Sequence, residues 1–542
     1  MRATEAPPDR VTALGWAVVL SLLAVGLVLP FVGLADRDLW SSHEARAAMD
    51  ARSLLDPLPG QPAGLPHMDD GQPDFQKPPT FYWVVAAIAR LRGGEVDALA
   101  VRLPAALSAF GVAVAVGLTL ALGFGRPLAG AIAALMLVSS IHFPWLARIG
   151  RIDMPLTFTV CLAALGFGRA GVFSVQCSVF REGDASPCPP STKASGAGWF
   201  LLAYLACAAG VLLKGPIGLV LPGAIVAAVL IQRGMWPAVW EGGAWWRLLR
   251  EMRVVPGLLL IAAIVSPVYL WLEYASGGQF AREFLWYHNV TRGLGGSDLR
   301  SHPVWLNVPY FLLYFLPFSP LVLLGLCRVP WRDDAVARFG LAWLVGVLVL
   351  LSAAKFKRAD YLAPAYPGAA IFLGCLCERW TAGRRGVVLM AALALVGWVG
   401  RQSVLLPAEE DFRDYRSFAR QVRESAPRPV EVMFFRTEAH ALAFHVGRPL
   451  GRFVEWEALE GRLLRPGVHH VVMPPNVLDE ARRRLPRFDL DEVSRNTDAT
   501  GRHERPLVLV RASLRTPVSD HARVPQAAAD LPRADQHRPA GP

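Results

Sequence analysis

The chain has 542 residues, of which 53% are hydrophobic and only 18% are charged. An ordinary soluble domain carries about 25% charged residues, so this composition excludes a purely soluble protein and indicates a polytopic membrane protein. The net charge of +11 does not indicate a nucleic-acid partner, because the arginines lie between apolar blocks and not in a basic, aromatic-rich polar segment.

Apolar blocks recur from the N-terminus to residue 406 and predict an all-α membrane domain with about eleven spanning helices. The first block is longer than the core of a signal peptide, so we expect it to be a span. The block at 81–91 is too short to span and is interpreted as a helix at the membrane interface. The predicted spans cover residues 11–34, 101–124, 128–146, 154–171, 199–213, 217–231, 254–275, 304–326, 336–354, 361–376 and 386–406.

The connections between these blocks predict the orientation of the chain. With a cytoplasmic N-terminus, most arginine-rich connections fall inside, as the positive-inside rule requires. Five outer segments break the rule, and all lie on the same side of the membrane: residues 36–79, 148–153, 214–216, 279–303 and 355–361. Charges held at membrane depth or at helix ends are usually functional, so we expect these segments to form a basic pocket for an anion such as phosphate.

The C-terminal region alternates short strands and helices, which predicts a small soluble α/β domain over residues 409–513. With eleven spans this domain lies outside the membrane. Residues 514–542 are rich in Pro, Ala, Asp and Arg and predict a disordered tail. The predicted strands are 430–436, 468–473 and 507–511, and the predicted helices are 412–423, 438–445 and 477–484.

Candidate catalytic residues lie in two of the outer segments. His43 and Glu44 are adjacent ionisable residues that could deprotonate an acceptor hydroxyl. The alternative is a solvated helix start, because Ser41-Ser42-x-Glu44 resembles an N-terminal cap. Asp153 follows a basic turn at the mouth of the fourth predicted span, where it caps the helix or shares the active site.

Lysines held at tight turns are candidate phosphate ligands. Lys77 precedes two prolines that fix the backbone, and Lys214 precedes Gly215-Pro216. The alternative for both is a side chain that extends to the membrane interface. The other candidate substrate-binding residues share a polar or cationic side chain in an outer turn: Arg148, Arg151, His288, Asn289, Arg292, Lys355, Lys357, Arg358 and Tyr361.

A divalent metal site is an open alternative, and the sequence requires no other cofactor. Five histidines lie on or near the outer face: His43, His67, His142, His288 and His302. Their spacing matches no known ligand motif, so the identity of a metal and of its ligands stays unknown.

Taken in order, these features resemble the GT-C class of polyprenyl-phosphate-dependent glycosyltransferases, and within it the ArnT-like and protein O-mannosyltransferase branch. The matching elements are an ionisable pair after the first span, Phe-x-Lys-Pro-Pro, Arg-x-Asp-Met-Pro, Leu-Lys-Gly-Pro, His-Asn-x-x-Arg and a basic run before Tyr-Leu-x-Pro. No single element is specific, but the ordered set is, and it runs from Trp40 to Gly374.

The resemblance implies a GT-C fold and a role for individual residues. Asp153 matches an acidic position near the donor phosphate, and Glu44 matches the second acid of the first-loop pair. Positions that line the lipid-phosphate pocket match Lys77, Arg148, Lys214 and the cluster 355–361. Two positions depart from the family pattern, since His43 replaces the leading aspartate and Gln76 replaces a glutamate. The departures leave the base open among His43, Glu44 and Asp153, and they weaken a metal site.

The function predicted from these observations is that of an integral-membrane glycosyltransferase. It moves a hexose or pentose from a polyprenyl-phosphate carrier to a hydroxyl or phosphate on lipid A, another glycan or a protein. The reaction is expected on the outer face of a bacterial inner membrane. The alternatives are a lipid or sugar transporter and a non-catalytic scaffold derived from such a transferase. A transporter is less favoured because the charges sit at one face and not at mid-membrane.

Overall fold

A computed structural model of the chain describes residues 12–57, 60, 62–68, 72–172, 193–238, 240–291, 301–410, 412–448, 450–497 and 501–515. Arg292, the side chain of Asn289 and nearly all of the predicted tail lie outside the described residues. Helices fill the region before residue 411, and a mixed sheet with flanking helices follows it.

Each of the eleven predicted spans falls on helix, which confirms the all-α character of this region. One block, 304–326, is split into two helices that meet at 102°. The α-helices before the sheet are α1 (Ala13–Val28), α2 (Ser42–Leu55), α3 (Thr80–Leu91), α4 (Ala98–Leu118), α5 (Pro127–Ser139), α6 (His142–Ala147), α7 (Asp153–Phe167), α8 (Lys193–Lys214), α9 (Ile217–Gln232), α10 (Gly242–Glu251), α11 (Val254–Ala275), α12 (Asn307–Tyr314), α13 (Ser319–Arg328), α14 (Ala335–Ala353), α15 (Tyr366–Arg379), α16 (Thr381–Gly400) and α17 (Leu406–Glu410).

Six helical segments of the described residues are long and apolar enough to cross a membrane, and the number is seven if the bent pair α12–α13 forms one broken span. The chain is therefore an integral membrane protein. The number is below eleven because several predicted blocks are shorter than a full span or are interrupted. The block at 361–376, for example, begins with the 3₁₀ turn Ala359–Ala365, which contains Pro364. Three shorter apolar helices are α3, α5 and α9.

Small residues let the helices of the bundle approach closely. A Cβ atom added to Gly340 of α14 would lie 2.5 Å from the backbone nitrogen of Phe372. A Cβ atom added to Gly368 of α15 would lie 2.7 Å from the backbone nitrogen of Leu344. Both contacts are too short for any residue but glycine. Close backbone approach at small residues is the usual way in which membrane helices pack.

Charged clusters mark the two ends of the bundle. At one end Arg126, which precedes α5, pairs with Asp334 at 2.8 Å and with Glu378 at 2.5 Å. Asp334 precedes the first residue of α14, and Glu378 lies in the last turn of α15. Residues 355–361 connect the other ends of these two helices, since they follow the end of α14 and precede the start of α15. The bundle therefore has a second polar end, which holds the predicted basic turns.

The C-terminal sheet confirms the predicted small α/β region. Its strand order is β2-β1-β3-β5-β4, with β1 parallel to β2 and β3, and with β5 antiparallel to β3 and β4. The strands are β1 (Val432–Phe435), β2 (Gly451–Phe453), β3 (His469–Met473), β4 (Phe488–Arg495) and β5 (Val508–Leu514), and the helices are α18 (Arg416–Ser425), α19 (His440–Val446), α20 (Trp456–Leu463) and α21 (Pro475–Arg484).

The predicted outer loop, 36–79, is wedged between the bundle and the sheet region. Its helix α2 buries small residues such as Ala45 and Ala48 in one apolar cluster with Phe418 of α18 and Leu442 of α19. Polar contacts reinforce this packing, since the Arg52 guanidinium donates to the Phe444 carbonyl at 2.6 Å. The loop is therefore a folded element that both parts of the protein hold in place.

Candidate functional site

Two adjoining cavities, of about 270 and 160 Å³, form a cleft at the polar end of the bundle. The larger one has an apolar lower wall of Leu156, Ile217, Leu221 and Leu351 on helices α7, α9 and α14. The smaller one reaches the start of α2. The residues that line both cavities are Gln76, Lys77, Asp153, Lys214, Arg358 and Tyr361. The cleft therefore joins a polar chamber to an apolar groove between helices.

A chain of ion pairs crosses the cleft. Asp153 begins α7, accepts a hydrogen bond from the Lys214 ammonium at 2.6 Å and forms an ion pair with Arg151 at 3.2 Å. Arg151 also reaches Asp360 at 2.7 Å, and Asp360 pairs with Arg358 at 3.0 Å. These pairs link side chains from three of the predicted outer segments, 148–153, 214–216 and 355–361. Asp360 belongs to the predicted cluster 355–361 but was not predicted as an individual site residue, because it lies inside a basic run.

Lys77 is one of two lysines of the cleft, with Lys357, that have no carboxylate partner among the described residues. It is half-buried, and its ammonium makes no ion pair or hydrogen bond within the described residues. Burial lowers its pKa to about 8, and Lys214 and Arg151 add to this effect while Asp153 opposes it. An anion in the cleft would relieve this unbalanced charge.

Positive charge exceeds negative charge in the cleft. The cationic side chains that line it are Arg46, Lys77, Arg151, Lys214, Lys357 and Arg358, against the carboxylates of Asp153 and Asp360. Arg46 is neutralised by Asp74 at 2.8 Å, so three positive charges remain without a counterpart among the described residues. Lys357 is buried, and its ammonium is held by the carbonyls of His302 and Ala354. The cleft thus combines excess positive charge with an apolar wall, and this combination suits an anion that carries an apolar chain.

His43 lies in the smaller cavity, half-buried and close to the cations. Burial lowers the pKa of its imidazole to about 3, and the charges of Lys77, Arg151 and Arg358 act in the same direction. At neutral pH the ring is therefore uncharged. It can accept or donate one hydrogen bond in the cleft, and it adds no positive charge.

Glu44 does not line the cleft with His43. Its carboxylate is fully buried and accepts from the Arg102 Nε at 2.7 Å and from the Gly150 backbone nitrogen at 3.0 Å. Burial would raise its pKa, but Arg102 and Arg37 hold the pKa at about 2. Arg102 also donates to the carbonyls of residues 34, 37 and 38. Glu44 is therefore part of a buried hydrogen-bond network that holds the start of the predicted outer loop in place.

We expect Glu44→Gln to destabilise the protein without acting on the chemistry directly. The change leaves Arg102 buried without a counter-charge, which costs about 3 kcal/mol. The apparent melting temperature of the purified protein should fall by several degrees, as measured by thermal unfolding in detergent. Glu492→Gln is the matched control, because its pair with Arg495 is exposed. An equal shift in the two variants would contradict the support role.

Arg148 is the predicted phosphate ligand that the structure turns away from the cleft. Its guanidinium donates to the carbonyls of Leu29, Pro30, Val32 and Gly33, which follow helix α1. Spacing in the sequence cannot reveal this, because those carbonyls lie more than a hundred residues away in the chain. Lys355 is exposed and lines neither cavity of the cleft.

The remaining predicted residues have varied positions. His288 lines the larger cavity beside Phe284, and Tyr361 stacks against the Lys214 ammonium at 4.2 Å from its ring centre. Arg292 and the Asn289 side chain lie outside the described residues. Asn307, which the sequence analysis did not select, is buried against the larger cavity and contacts Ser352 at 3.4 Å.

Metal ligands do not cluster in the part of the chain that the structure describes. No group of three or more His, Cys, Asp or Glu side chains is placed there to hold a metal ion. His142 instead contacts the Tyr366 hydroxyl at 2.7 Å and faces Asp360 at 3.5 Å. The described residues thus offer the cleft charge and hydrogen bonds from lysine, arginine and aspartate.

Comparison with known proteins supports the resemblance found in the sequence. Residues 72–273 match the family described as dolichyl-phosphate-mannose-protein mannosyltransferase. The chain is 27% identical over 376 residues to an undecaprenyl phosphate-alpha-4-amino-4-deoxy-L-arabinose arabinosyl transferase 1 of Pseudomonas fluorescens, covering 68% of this chain and 61% of the relative. A similarly named transferase of Shewanella sediminis is 27% identical, with 66% and 59% coverage. The chain thus spans about three fifths of the length of these curated relatives.

The fold also matches a solved structure. The crystal structure of ArnT from Cupriavidus metallidurans bound to undecaprenyl phosphate superposes with a TM-score of 0.71 at 19% identity, covering 92% of this chain and 98% of that one. The same protein in the apo state gives a TM-score of 0.69. Together these comparisons confirm the resemblance to ArnT-like GT-C glycosyltransferases and the fold class.

Proposed function

We propose that the chain, with its ArnT-like GT-C fold, is a glycosyltransferase that moves a sugar from a polyprenyl-phosphate carrier to a hydroxyl or phosphate acceptor. The observation that carries the proposal is the cleft itself, where the described cations outnumber the carboxylates by three and adjoin an apolar groove between helices. A phosphate with a long apolar tail matches both parts. The relatives, which are named as undecaprenyl-phosphate-sugar transferases, support the same donor.

The proposed site faces the outside of a bacterial inner membrane, with a cytoplasmic N-terminus. The positive-inside pattern supports this orientation. We further propose a membrane domain over 1–406 and an outer α/β domain over 409–513, which packs on the loop that borders the cleft. The acceptor, whether lipid A, another glycan or a protein, would approach from this outer side.

In the proposed reaction the bond between the anomeric carbon and the phosphate oxygen breaks, and its electron pair stays on the lipid phosphate. Lys77, Lys214 and Arg358 stabilise the charge that grows there. The acceptor oxygen forms the new bond to the anomeric carbon and, when it is a hydroxyl, gives its proton to Asp153. Lys214, one of the two cations paired with Asp153, is also a proposed ligand of the donor phosphate, so donor binding would weaken this pair and make the carboxylate a stronger base.

The neutral His43 is proposed to orient the acceptor by a hydrogen bond, and His288 to contact the donor side of the larger cavity. Lys357 contributes buried positive charge below the phosphate. Three predicted site residues do not line the cleft and take no direct part in the proposed reaction: Arg148, Lys355 and Glu44. A phosphate acceptor is already ionised at neutral pH and would need no base.

The identity of the carried sugar is tested by purifying the protein with its native lipid. Mass spectrometry of the extracted lipid should detect a polyprenyl phosphate, with or without an attached sugar, and the mass of the sugar identifies the donor. Recovery of ordinary phospholipids alone from repeated preparations would count against a polyprenyl-phosphate donor.

We expect donor binding to depend on pH through Lys77. With a pKa of about 8, the ammonium is charged below this value and binds the donor phosphodiester, whereas above it the neutral amine does not. The dissociation constant of the donor, measured between pH 6.5 and 9.5, should rise above pH 8 by up to about tenfold per pH unit. Lys77→Arg keeps its charge over this range and should give a flat profile. Parallel profiles for the two proteins would contradict the assignment.

A further inference from the structure

A separate cavity of about 250 Å³ lies behind the cleft. The two are divided by a wall of two chain segments, residues 41–44 and 148–151. Ser41, Glu44 and Ile149 face this cavity, whereas His43 and Arg151 face the cleft. The cavity is bordered by the end of α16 and by the segment that leads into the sheet region. It therefore opens at the same polar end of the bundle without being part of the reaction site.

Arginines dominate the charge of this cavity. Arg37, Arg148, Arg401 and Arg413 line it, against the carboxylates of Glu44 and Glu504. Glu44 pairs with Arg102 at 2.7 Å and with Arg37 at 3.7 Å, and Glu504 pairs with Arg413 at 3.1 Å, so the arginines still outnumber the carboxylates. Arg148 is buried, binds only backbone carbonyls through its terminal nitrogens, and keeps its Nε without a partner among the described residues.

Arg401 is the arginine best placed to bind a ligand. It is half-buried, and its guanidinium forms no ion pair in the described part of the chain. Burial lowers the pKa of Arg37 to about 10, although Glu44 opposes this effect, and burial together with repulsion from Arg102 lowers the pKa of Arg148 to about 10. An anion in the cavity would stabilise both charges. A guanidinium presents several donors to phosphate oxygens in a fixed plane, which makes arginine a strong phosphate ligand.

Three tryptophans form the walls of the same cavity. The Trp40 ring lies between the guanidinium groups of Arg37, at 5.2 Å, and Arg413, at 4.7 Å. Trp398 is fixed by a hydrogen bond from its indole nitrogen to the Ser140 carbonyl at 3.1 Å, and Trp145 completes the wall. Tryptophan prefers the interface between apolar tails and polar headgroups, so these walls indicate the depth of a lipid headgroup.

The backbone next to Arg401 supports a binding role. Helix α16 changes there into a single π-helical turn, Arg401–Leu405, and such turns often occur at functional sites. The same turn exposes the apolar side chains of Val404 and Leu405 on the outside of the protein. A ligand with its headgroup at Arg401 would have an apolar surface beside it for an acyl chain.

We propose that this cavity binds the phosphate headgroup of an anionic membrane lipid, at a site separate from the donor cleft. Arg401 would bind the phosphate oxygens, Arg37 and Arg148 would supply buried positive charge, and the tryptophans would pack on the rest of the headgroup. The site goes beyond the proposed transferase function and does not depend on it. Its ligand class is a phosphodiester lipid, and inorganic phosphate is the soluble source of the same chemistry.

Native mass spectrometry of the purified full chain with added phosphatidylglycerol tests this site. Arg401→Gln should weaken retention of the first bound lipid by about tenfold, as expected for loss of one charge-assisted interaction. Arg385→Gln, an exposed arginine near the other end of the same helix, is the matched control and should retain the lipid. Lys77→Ala should also retain it, because Lys77 lies in the cleft. Phosphatidylcholine should bind more weakly than phosphatidylglycerol.

Two outcomes support the site and distinguish its ligand. If inorganic phosphate does not displace the lipid, the cavity recognises a membrane lipid, and if it does, the phosphate group alone is recognised. Equal loss of lipid in Arg401→Gln and Arg385→Gln would overturn the proposal. Thermal unfolding of both variants shows whether they are folded, and Arg401→Lys, which keeps the charge, should restore part of the binding. Failure of this test would leave the donor cleft unaffected.

Discussion

Replacing Lys77 with alanine is expected to weaken donor binding and to slow transfer by about 10²–10³-fold. Lys77 lines both cavities of the cleft and has no carboxylate partner among the described residues, so its charge is free to act on the donor phosphate. Because it contacts no structural carboxylate within the described residues, its removal should leave the fold intact. The measurement is transfer of a labelled sugar from polyprenyl phosphate, together with the dissociation constant of the donor.

Lys355→Ala is the matched control for this change. Lys355 lies in the basic run that the sequence analysis selected, but it is exposed and lines neither cavity of the cleft. Its loss should change transfer by less than about twofold, since exposed charges contribute little. Equal effects of the two substitutions would show that the basic outer turns act as a diffuse positive surface and not through the geometry of the cleft.

Asp153→Asn is expected to lower the turnover number by about 10²–10⁴-fold with a hydroxyl acceptor, the range for loss of a positioned base. Donor binding should stay the same or tighten, because Lys214 and Arg151 are released from the carboxylate. The split between turnover and binding separates this variant from Lys77→Ala. Both quantities are obtained from single-turnover and equilibrium binding measurements on the same protein preparations.

Asp360→Asn is the comparison for Asp153→Asn. Asp360 also contacts Arg151, so a loss that came only from a displaced Arg151 would be seen in both variants. We expect Asp360→Asn to lower turnover by less than about tenfold, because the proposed proton acceptor is still present. If the two asparagine variants lose turnover to the same extent, Asp153 acts as a positioning residue for the cations and another group takes the proton.

The helices of this protein were accessible from sequence because apolar composition is a local property. All eleven apolar blocks fall on helix, and the segment 254–275 has the same bounds in the prediction and the structure. Breaks within blocks were harder to see. The bend of 102° between α12 and α13 lies at Phe315-Leu316-Pro317. Helix α11 also contains a proline and is not interrupted, so a proline in the sequence does not show which apolar block is broken.

Two strands of the sheet were missed for different reasons. Strand β2 has only three residues, Gly451–Phe453, which is too short to show a pattern. Strand β4, Phe488–Arg495, does alternate buried and exposed residues near its start, where Phe488 and Leu490 face the core. That alternation was a usable signal, although four charged residues in the strand weaken it.

The sequence predicted several of the residues that form the candidate site, but it did not predict which charged side chains contact each other. The sequence identified Lys77, Asp153 and Lys214 as polar residues of one face, and the structure brings them to one cleft. It could not show that Arg148 and Glu44 point into a support between α1, α4 and the outer loop. Which charges meet each other depends on contacts between residues distant in the chain, and a pattern of neighbouring residues carries no information about them.

The most direct test of the proposed function uses the purified full chain in detergent or lipid nanodiscs. Radiolabelled polyprenyl-phosphate sugar is supplied with candidate hydroxyl and phosphate acceptors, and both released polyprenyl phosphate and labelled acceptor are counted. A transferase forms these two products in equal amounts, and Lys77→Ala forms them about 10²–10³-fold more slowly. If the donor stays intact with every acceptor, or only crosses the membrane unchanged, the proposed function is wrong, and a scaffold or transporter takes its place.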